Sequence, residues 1–369
     1  MRILIANLTR GGFSGGYIKY LRELVPRLAR HPDVETFELV MPPGTHGRLG
    51  EIGAQAVEWP TGCSSVSRWL DARARALRAD VVFVPTATLP TVATPVAVMV
   101  QNMEPLVRPI AGNAPIEAVR NIGRRLAAYR AVTRAKRVIA VSDYVRDFLV
   151  DTWNIPMERI GVVHHGVEAA PYSTVPHGLS AADAGQFIFT AGSIRPARGL
   201  EDVVGALERL GEAAPTVVIA GTIDARAENY ARRLRESIER AGLMSRVRWV
   251  GHLDPAQMRW CFEHAAAFIM TSRVEACPNI VLEAMCYGAI SVATRCRPMP
   301  EFYGKAAWYY EPGDSAALAK MLRELAVLPA NDRVALQDTA RRRAADFSWQ
   351  ATADYTVAEL QRARLPRDG

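Results

Sequence analysis

The chain has 369 residues, of which 49% are hydrophobic, and a formal net charge of +7; that length gives room for two domains, each with its own core. Its five cysteines, Cys63, Cys261, Cys277, Cys286 and Cys296, form no C-x-x-C pair, which argues against a zinc site or a secreted disulfide framework and for a reducing cytoplasm. The basic balance fits an anionic membrane surface or a phosphorylated ligand; with no zinc finger, RNP-like sequence or arginine-aromatic ladder beside it, no nucleic-acid partner is expected.

Arg2 to Ala6 reads as a buried first strand, too short an apolar stretch for a signal peptide. It runs into Thr9-Arg10-Gly11-Gly12-Phe13-Ser14-Gly15-Gly16 and a helix over Tyr17 to Arg30. Gly11, Gly12, Gly15 and Gly16 let backbone amides approach a phosphate or sugar at a helix N-terminus. The spacing matches neither the dinucleotide fingerprint nor the phosphate loop, and a plain tight turn is the alternative. Short β-branched runs follow at Phe37 to Met41, Val81 to Val84, Val96 to Val100 and Arg137 to Val141. They alternate with amphipathic stretches, the pattern of parallel α/β layers.

Ile116 to Arg137 sets Val119, Ile122, Leu126, Tyr129 and Val132 on one helical face, with Arg120, Arg124, Arg125, Arg130, Arg134 and Lys136 interleaved. That resembles a helix lying on an anionic membrane surface; an ordinary domain helix with a solvated basic face is the alternative. No apolar run approaches the roughly 20 residues of a membrane span. His165 precedes a glycine and reads either as a base or as a packed residue. Glu168 to Gln186, rich in Ala, Pro, Ser, Gly and His, reads as an interdomain linker. A second series of strands is expected at Phe187 to Ala191, Val217 to Ala220, Val247 to Val250, Ala267 to Met270, Ile290 to Ala293 and Ala307 to Tyr310.

Two doubly wound α/β units follow from this order, and ligands of such sheets lie beyond the carboxyl ends of the strands. The loop after Ala191 reads Gly192-Ser193-Ile194-Arg195-Pro196-Ala197-Arg198-Gly199. Arg195 and Arg198, with the helix dipole, suit a diphosphate, unless this is only a solvated basic loop. Beyond Met270, Glu275 falls on a loop and Glu283 about one turn into the next helix. Two carboxylates so spaced suit two ends of one ligand, for instance two hydroxyl-bearing sugars.

The segment Thr271 to Met285 resembles the E-x7-E donor site of the retaining GT-B glycosyltransferases of family 4. Ser142-Asp143-Tyr144, Val162-Val163-His164-His165-Gly166-Val167, Val250-Gly251-His252, Pro298-Met299-Pro300-Glu301, Glu311-Pro312-Gly313-Asp314 and Phe347-Ser348-Trp349 fall in that family's order. The resemblance implies two Rossmann-like domains facing across a cleft: residues 1–167 for the acceptor and 186–347 for the nucleotide sugar, with a last helix in 348–369 packing back on the first. Glu275 is then assigned to the transferred sugar and Glu283 to the ribose. Arg195 and Arg198, with the helix N-terminus at Asn279 and Ile280, are assigned to the diphosphate.

This chain departs from the family pattern at three places. Ser193 stands where the first basic residue of the donor loop is usual, and Arg198 where a lysine is. Pro278 replaces a glycine and has no N–H to offer. Gln101 and Asn102 occupy the position of a charged residue, which implies hydrogen bonding to the acceptor rather than acid/base duty. With no D-x-D pair, no metal or other cofactor is expected beyond the nucleotide-diphosphate sugar as co-substrate. The expected activity is transfer of a hexose-type sugar to a glycan or lipid-linked acceptor in bacterial cell-surface polysaccharide or glycolipid synthesis, in the cytoplasm or at the inner face of the membrane. A GT-B sugar-nucleotide epimerase and a non-catalytic carbohydrate-binding protein are the alternatives.

Overall fold

A computed structural model of the chain describes residues 1–9, 15–45, 47, 49, 56–107, 115–223 and 227–364. The chain divides into two compact units: Met1–Leu106, Arg120–Gly166 and Ser348–Gly369 form the first, Val107–Val119 and Val167–Phe347 the second.

The first unit runs β1 (Arg2–Ala6), α1 (Gly15–Arg30), β2 (Thr36–Met41), β3 (Ala56–Glu58), α2 (Val66–Leu77), β4 (Val81–Val84), β5 (Val96–Val100), α3 (Pro115–Arg134), β6 (Arg137–Ala140), α4 (Asp143–Trp153) and β7 (Ile160–Val162). Its strands pair in parallel in the order β3-β2-β1-β4-β5-β6-β7. The direction of winding therefore reverses between β1 and β4, and both central strands are buried along almost their whole length. Three-residue β3 and β7 are too short to carry a periodic signal, which is why sequence patterning passes over them.

The second unit runs β8 (Phe187–Ala191), α5 (Glu201–Leu210), β9 (Thr216–Ala220), α6 (Glu228–Arg240), β10 (Val247–Gly251), α7 (Pro255–His264), β11 (Ala267–Met270), α8 (Asn279–Cys286), β12 (Ser291–Thr294), α9 (Met299–Tyr303), β13 (Ala307–Tyr310), α10 (Ser315–Ala326) and α11 (Ala330–Ala344). The sheet order β10-β9-β8-β11-β12-β13 reverses between β8 and β11. Successive strand residues face opposite layers. Phe187, Phe189, Phe268 and Met270 enter one core with α8 and α9, while Ile188, Ile269 and Val292 enter the other with α5 and α10. The segment expected to be a linker carries backbone bonds onto this unit, from Thr174 N to the Ala256 carbonyl and from Gly185 N to the His264 carbonyl.

The last helix, α12 (Trp349–Ala363), belongs to the first unit. Ser348 caps it by accepting from the Ala351 amide at 3.0 Å, and Thr352 Oγ1 donates to the His164 carbonyl at 2.9 Å. Trp349 is fully buried beside Tyr20 and His165. Further along, Glu359 accepts from the guanidinium of Arg137, both residues 7% exposed. Arg137 also donates to the carbonyls of Glu158 and Ile160. Gly161 makes the space for this pair, since a Cβ there would stand 2.1 Å from the Glu359 carboxyl carbon.

Arg137 corrects the sequence reading of a helix over Ile116 to Arg137. The helix stops at Arg134 because the amide of Lys136 is already bonded to the Val96 carbonyl of the neighbouring strand, at 2.8 Å. Val132 is fully buried, whereas Ile116, Val119, Ile122 and Leu126 are each more than half exposed; they do not share the fate that one amphipathic face predicts. Truncating one member of a buried ion pair strands its partner's charge and costs about 3–5 kcal/mol. Glu359→Ala is accordingly expected to lose that much stability in urea unfolding of the full chain, and a loss below about 1 kcal/mol, the range of an exposed pair, would show that α12 is not held in this way.

Candidate active site

The carboxyl ends of β8 and β11, either side of the winding reversal, carry the loops with Arg198 and Glu275. After Ala191 the chain turns through Gly192 at φ +125°, passes Arg195 and makes a short helical turn over Pro196–Arg198 that ends at Gly199, φ +60°. Arg198 Nη1 donates to Glu275 Oε1 at 2.9 Å and to Ser272 Oγ at 3.0 Å. Ser272 Oγ in turn donates to the same carboxylate oxygen at 3.0 Å. Arg198 and Glu275 side chains are each 15% exposed, so the pair is partly withdrawn from water yet open on one side.

Close backbone approach builds this site. A Cβ on Gly192 would lie 2.5 Å from the Arg198 guanidinium, one on Gly199 2.6 Å from the Thr271 carbonyl, and one on Gly221 2.0 Å from the Gly192 carbonyl. Arg273 N donates to the Ala197 carbonyl at 2.8 Å, and Thr271 Oγ1 to the Arg198 carbonyl. The loop following β11 is thus laced to the loop following β8. Arg273 then reaches Asp202, in the first turn of α5, through both carboxylate oxygens at 2.6 and 2.8 Å.

The other expected donor residues sit around this pair. Ser193 is exposed and Arg195 half-buried. Asn279 and Ile280 open α8, whose own bonds begin with the Val281 amide on the Pro278 carbonyl at 2.9 Å. Glu283 lies one turn further along, half-buried. Sequence reading assigned no role to Ser272, Asp202 or Arg273. Ser272 lies inside the recognised motif, but an acidic residue in a helix's first turn, as Asp202 is, ordinarily serves only the helix dipole.

In the first unit, Gly11 and Gly12 lie outside the described residues, and Gly15 and Gly16 are the exposed first residues of α1. Asn7, fully buried after β1, accepts from the Thr9 amide and the Tyr17 hydroxyl, each at 3.1 Å. Gln101 donates to the Pro85 carbonyl across the ends of β5 and β4, and Asn102 accepts from the Glu104 amide at 3.1 Å. His165 is 3% exposed, stacked 5.7 Å from Trp349 and 4.9 Å from Tyr20, which is the position of a packed ring. Leu8, Trp59, Leu70 and Leu89 line a recess of about 160 Å³ beyond the strand ends.

Two family models match the chain: "Glycosyltransferase Family 4" over residues 14–170 and "Glycosyl transferases group 1" over residues 178–343. The chain belongs to the family 4 type of GT-B glycosyltransferases. It is 24% identical over 246 residues to glycogen synthase of Mycobacterium tuberculosis, covering 64% of this chain and 57% of that one. With D-inositol 3-phosphate glycosyltransferase of Jonesia denitrificans it shares 26% identity over 270 residues, 69% of this chain and 62% of the relative. The chain thus spans about three fifths of the length of the curated relatives it matches. The structure of Anabaena HepE in complex with UDP-glucose superposes with a TM-score of 0.75 at 17% identity, covering 98% of this chain and 99% of that one, and so shares its fold.

Proposed function

We propose that this chain is a metal-independent retaining glycosyltransferase moving a hexose-type sugar from a nucleotide-diphosphate sugar to a glycan or lipid-linked acceptor, in bacterial cell-surface polysaccharide or glycolipid synthesis. The observation that carries the reading is the Arg198 guanidinium, held 2.9 Å from Glu275 at the winding reversal of the second sheet. A fixed cation there offsets charge as the diphosphate departs, and preorganised groups of this kind are the largest single contribution to many enzymatic rates. Arg195 and the N-terminus of α8 at Asn279 and Ile280 add to the same field. Glu275 faces the transferred sugar and Glu283 the ribose, while an acceptor hydroxyl attacks from the face the diphosphate leaves. Support comes from the names of the relatives, which are glycosyltransferases and a glycogen synthase, and from HepE, solved with UDP, with UDP and glucose, and with UDP-glucose.

The deciding experiment incubates the protein with UDP-, GDP- and ADP-hexoses, with and without glucan and lipid-linked acceptors, in excess chelator. Transfer that persists without divalent metal is expected. Activity that returns only with magnesium or manganese overturns metal independence, and epimerised donor, or no turnover of any donor, overturns the transferase.

The two glutamates are expected to separate on calorimetric titration with the nucleoside diphosphate of the best donor. Glu283→Gln should weaken that nucleotide by about 1–3 kcal/mol, the worth of a charge-assisted hydrogen bond. Glu275→Gln should leave it bound and lower transfer instead. The reverse pattern would exchange the two assignments.

Exposed Ile116, Val119, Ile122 and Leu126 on α3, interleaved with Arg120, Arg124, Arg125, Arg130 and Arg134, support peripheral attachment at the cytoplasmic face of an anionic membrane. Each basic residue near such a surface contributes about 1 kcal/mol, falling with ionic strength. Sedimentation with vesicles should show salt-sensitive binding to phosphatidylglycerol-containing bilayers and none to phosphatidylcholine alone. Equal behaviour towards both would remove α3 from that role.

A further inference from the structure

We infer that Asp202 is a positioning residue for the donor site, acting through Arg273 on the loop that orients Arg198. This rests on the donor-site reading above and adds to it a residue that touches no substrate. Asp202 is 3% exposed, and its carboxylate accepts from donors at the ends of two other strands, β11 and β13. Arg273 Nη2 donates to Oδ1 at 2.6 Å and Nη1 to Oδ2 at 2.8 Å, the bidentate fork that fixes both distance and plane. The Tyr310 hydroxyl and the Gly313 amide each donate to Oδ2 at 3.1 Å. One buried carboxylate therefore ties together the loops following β8, β11 and β13.

The path from there to the diphosphate is short. Arg273 is flanked by Ser272, and Glu275 lies two residues beyond; both accept from Arg198 Nη1, which also lies 3.7 Å from the Met270 sulfur. Three bonds to main-chain carbonyls make the loop respond as a body: Arg273 N to the Ala197 carbonyl, and the side chains Thr294 Oγ1 to the Ser272 carbonyl at 2.7 Å and Cys296 Sγ to the Arg273 carbonyl at 2.8 Å. Asp202 itself follows Arg198 by four residues and opens α5, so the fork joins the base of the arginine's loop to the base of the glutamate's. Desolvation pulls the Arg273 pKa down, and the hydrogen bonds and charge of Asp202, with the nearby charge of Glu201, more than offset it, so the net shift is upward. Removing the Asp202 charge leaves the guanidinium with the exposed Glu201 carboxylate, 3.8 Å away, as its remaining acidic partner; a shift of Arg273 towards it would take Ser272 and Glu275 from under Arg198.

The test is a double-mutant cycle on the full chain, read as affinity for UDP, GDP and ADP, using whichever binds the unmodified protein best. Asp202→Asn keeps the shape and removes the charge. Arg198→Lys keeps a charge on a flexible stem that needs no loop to aim it. Asp202→Asn is expected to weaken the nucleotide roughly tenfold in the unmodified protein and less than about twofold beside Arg198→Lys, since coupled residues are non-additive. A role confined to stability would lower affinity equally in both backgrounds and overturns the inference, as does an Asp202→Asn protein that binds like the unmodified one. If the unmodified chain binds none of the three nucleotides, the donor-site reading itself falls, and the positioning role with it.

Discussion

Arg198 reaches Ser272 and Glu275 because Gly192 has no side chain: the guanidinium occupies the volume where a Cβ would stand, 2.5 Å away. That one vacancy in the covalent structure governs much of the second unit at the carboxyl ends of its strands. Gly192 can hold φ +125° at no steric cost, and its carbonyl lies where a side chain on Gly221 would be. Gly221 in turn donates its amide to the Gly251 carbonyl at 2.7 Å. The three loops following β8, β9 and β10 are therefore stacked main chain on main chain, and the guanidinium is laid on top of the stack. A charge so placed has few ways to move, which is the condition under which a fixed positive group lowers a barrier without reorganising.

Charge pairing does different work in the two units. Arg137 and Glu359 are closed off together in the first, and their desolvation is offset by each other, by the carbonyls of Glu158 and Ile160, and by Arg362, which donates to the second Glu359 oxygen at 2.7 Å. Arg198 and Glu275 in the second keep 15% of their side-chain surface in contact with solvent. A pair of the first kind is covered by protein groups on every oxygen, whereas one of the second kind could exchange a protein contact for a ligand oxygen at modest cost. The same residue types give a closed fastening in one place and a partly exposed pair in the other, and burial makes the difference.

The strands of both sheets were legible because parallel strands covered on both faces are continuous apolar runs; Val81–Val84 and Phe187–Ala191 are of this kind. The loop after β8 stood out through its glycines and arginines, and Glu275 through the residues around it; the structure brings Arg198 and Glu275 together at 2.9 Å. Asp202 was not, because its partner Arg273 lies 71 positions on and nothing local distinguishes it from a residue serving the helix dipole. Arg137 was read as the end of a helix for the corresponding reason: only the strand beside it, through the Val96 carbonyl bonded to Lys136, ends that helix at Arg134. His165 carried two readings that sequence could not separate, since what buries it is Trp349, contributed by the last helix.

That last helix has a bearing on how the molecule comes into being. The second unit has all its segments once Phe347 has been made, but the first still lacks α12. Until then the surroundings of Tyr20 and His165 are without Trp349, the groove beside Gly161 is empty, and Arg137 has no carboxylate. Synthesis adds about 5–20 residues per second, and domains usually fold in order from the N-terminus. For this chain that order has a limit: the unit whose strands emerge first cannot cover its flank until α12, made after Phe347, is available.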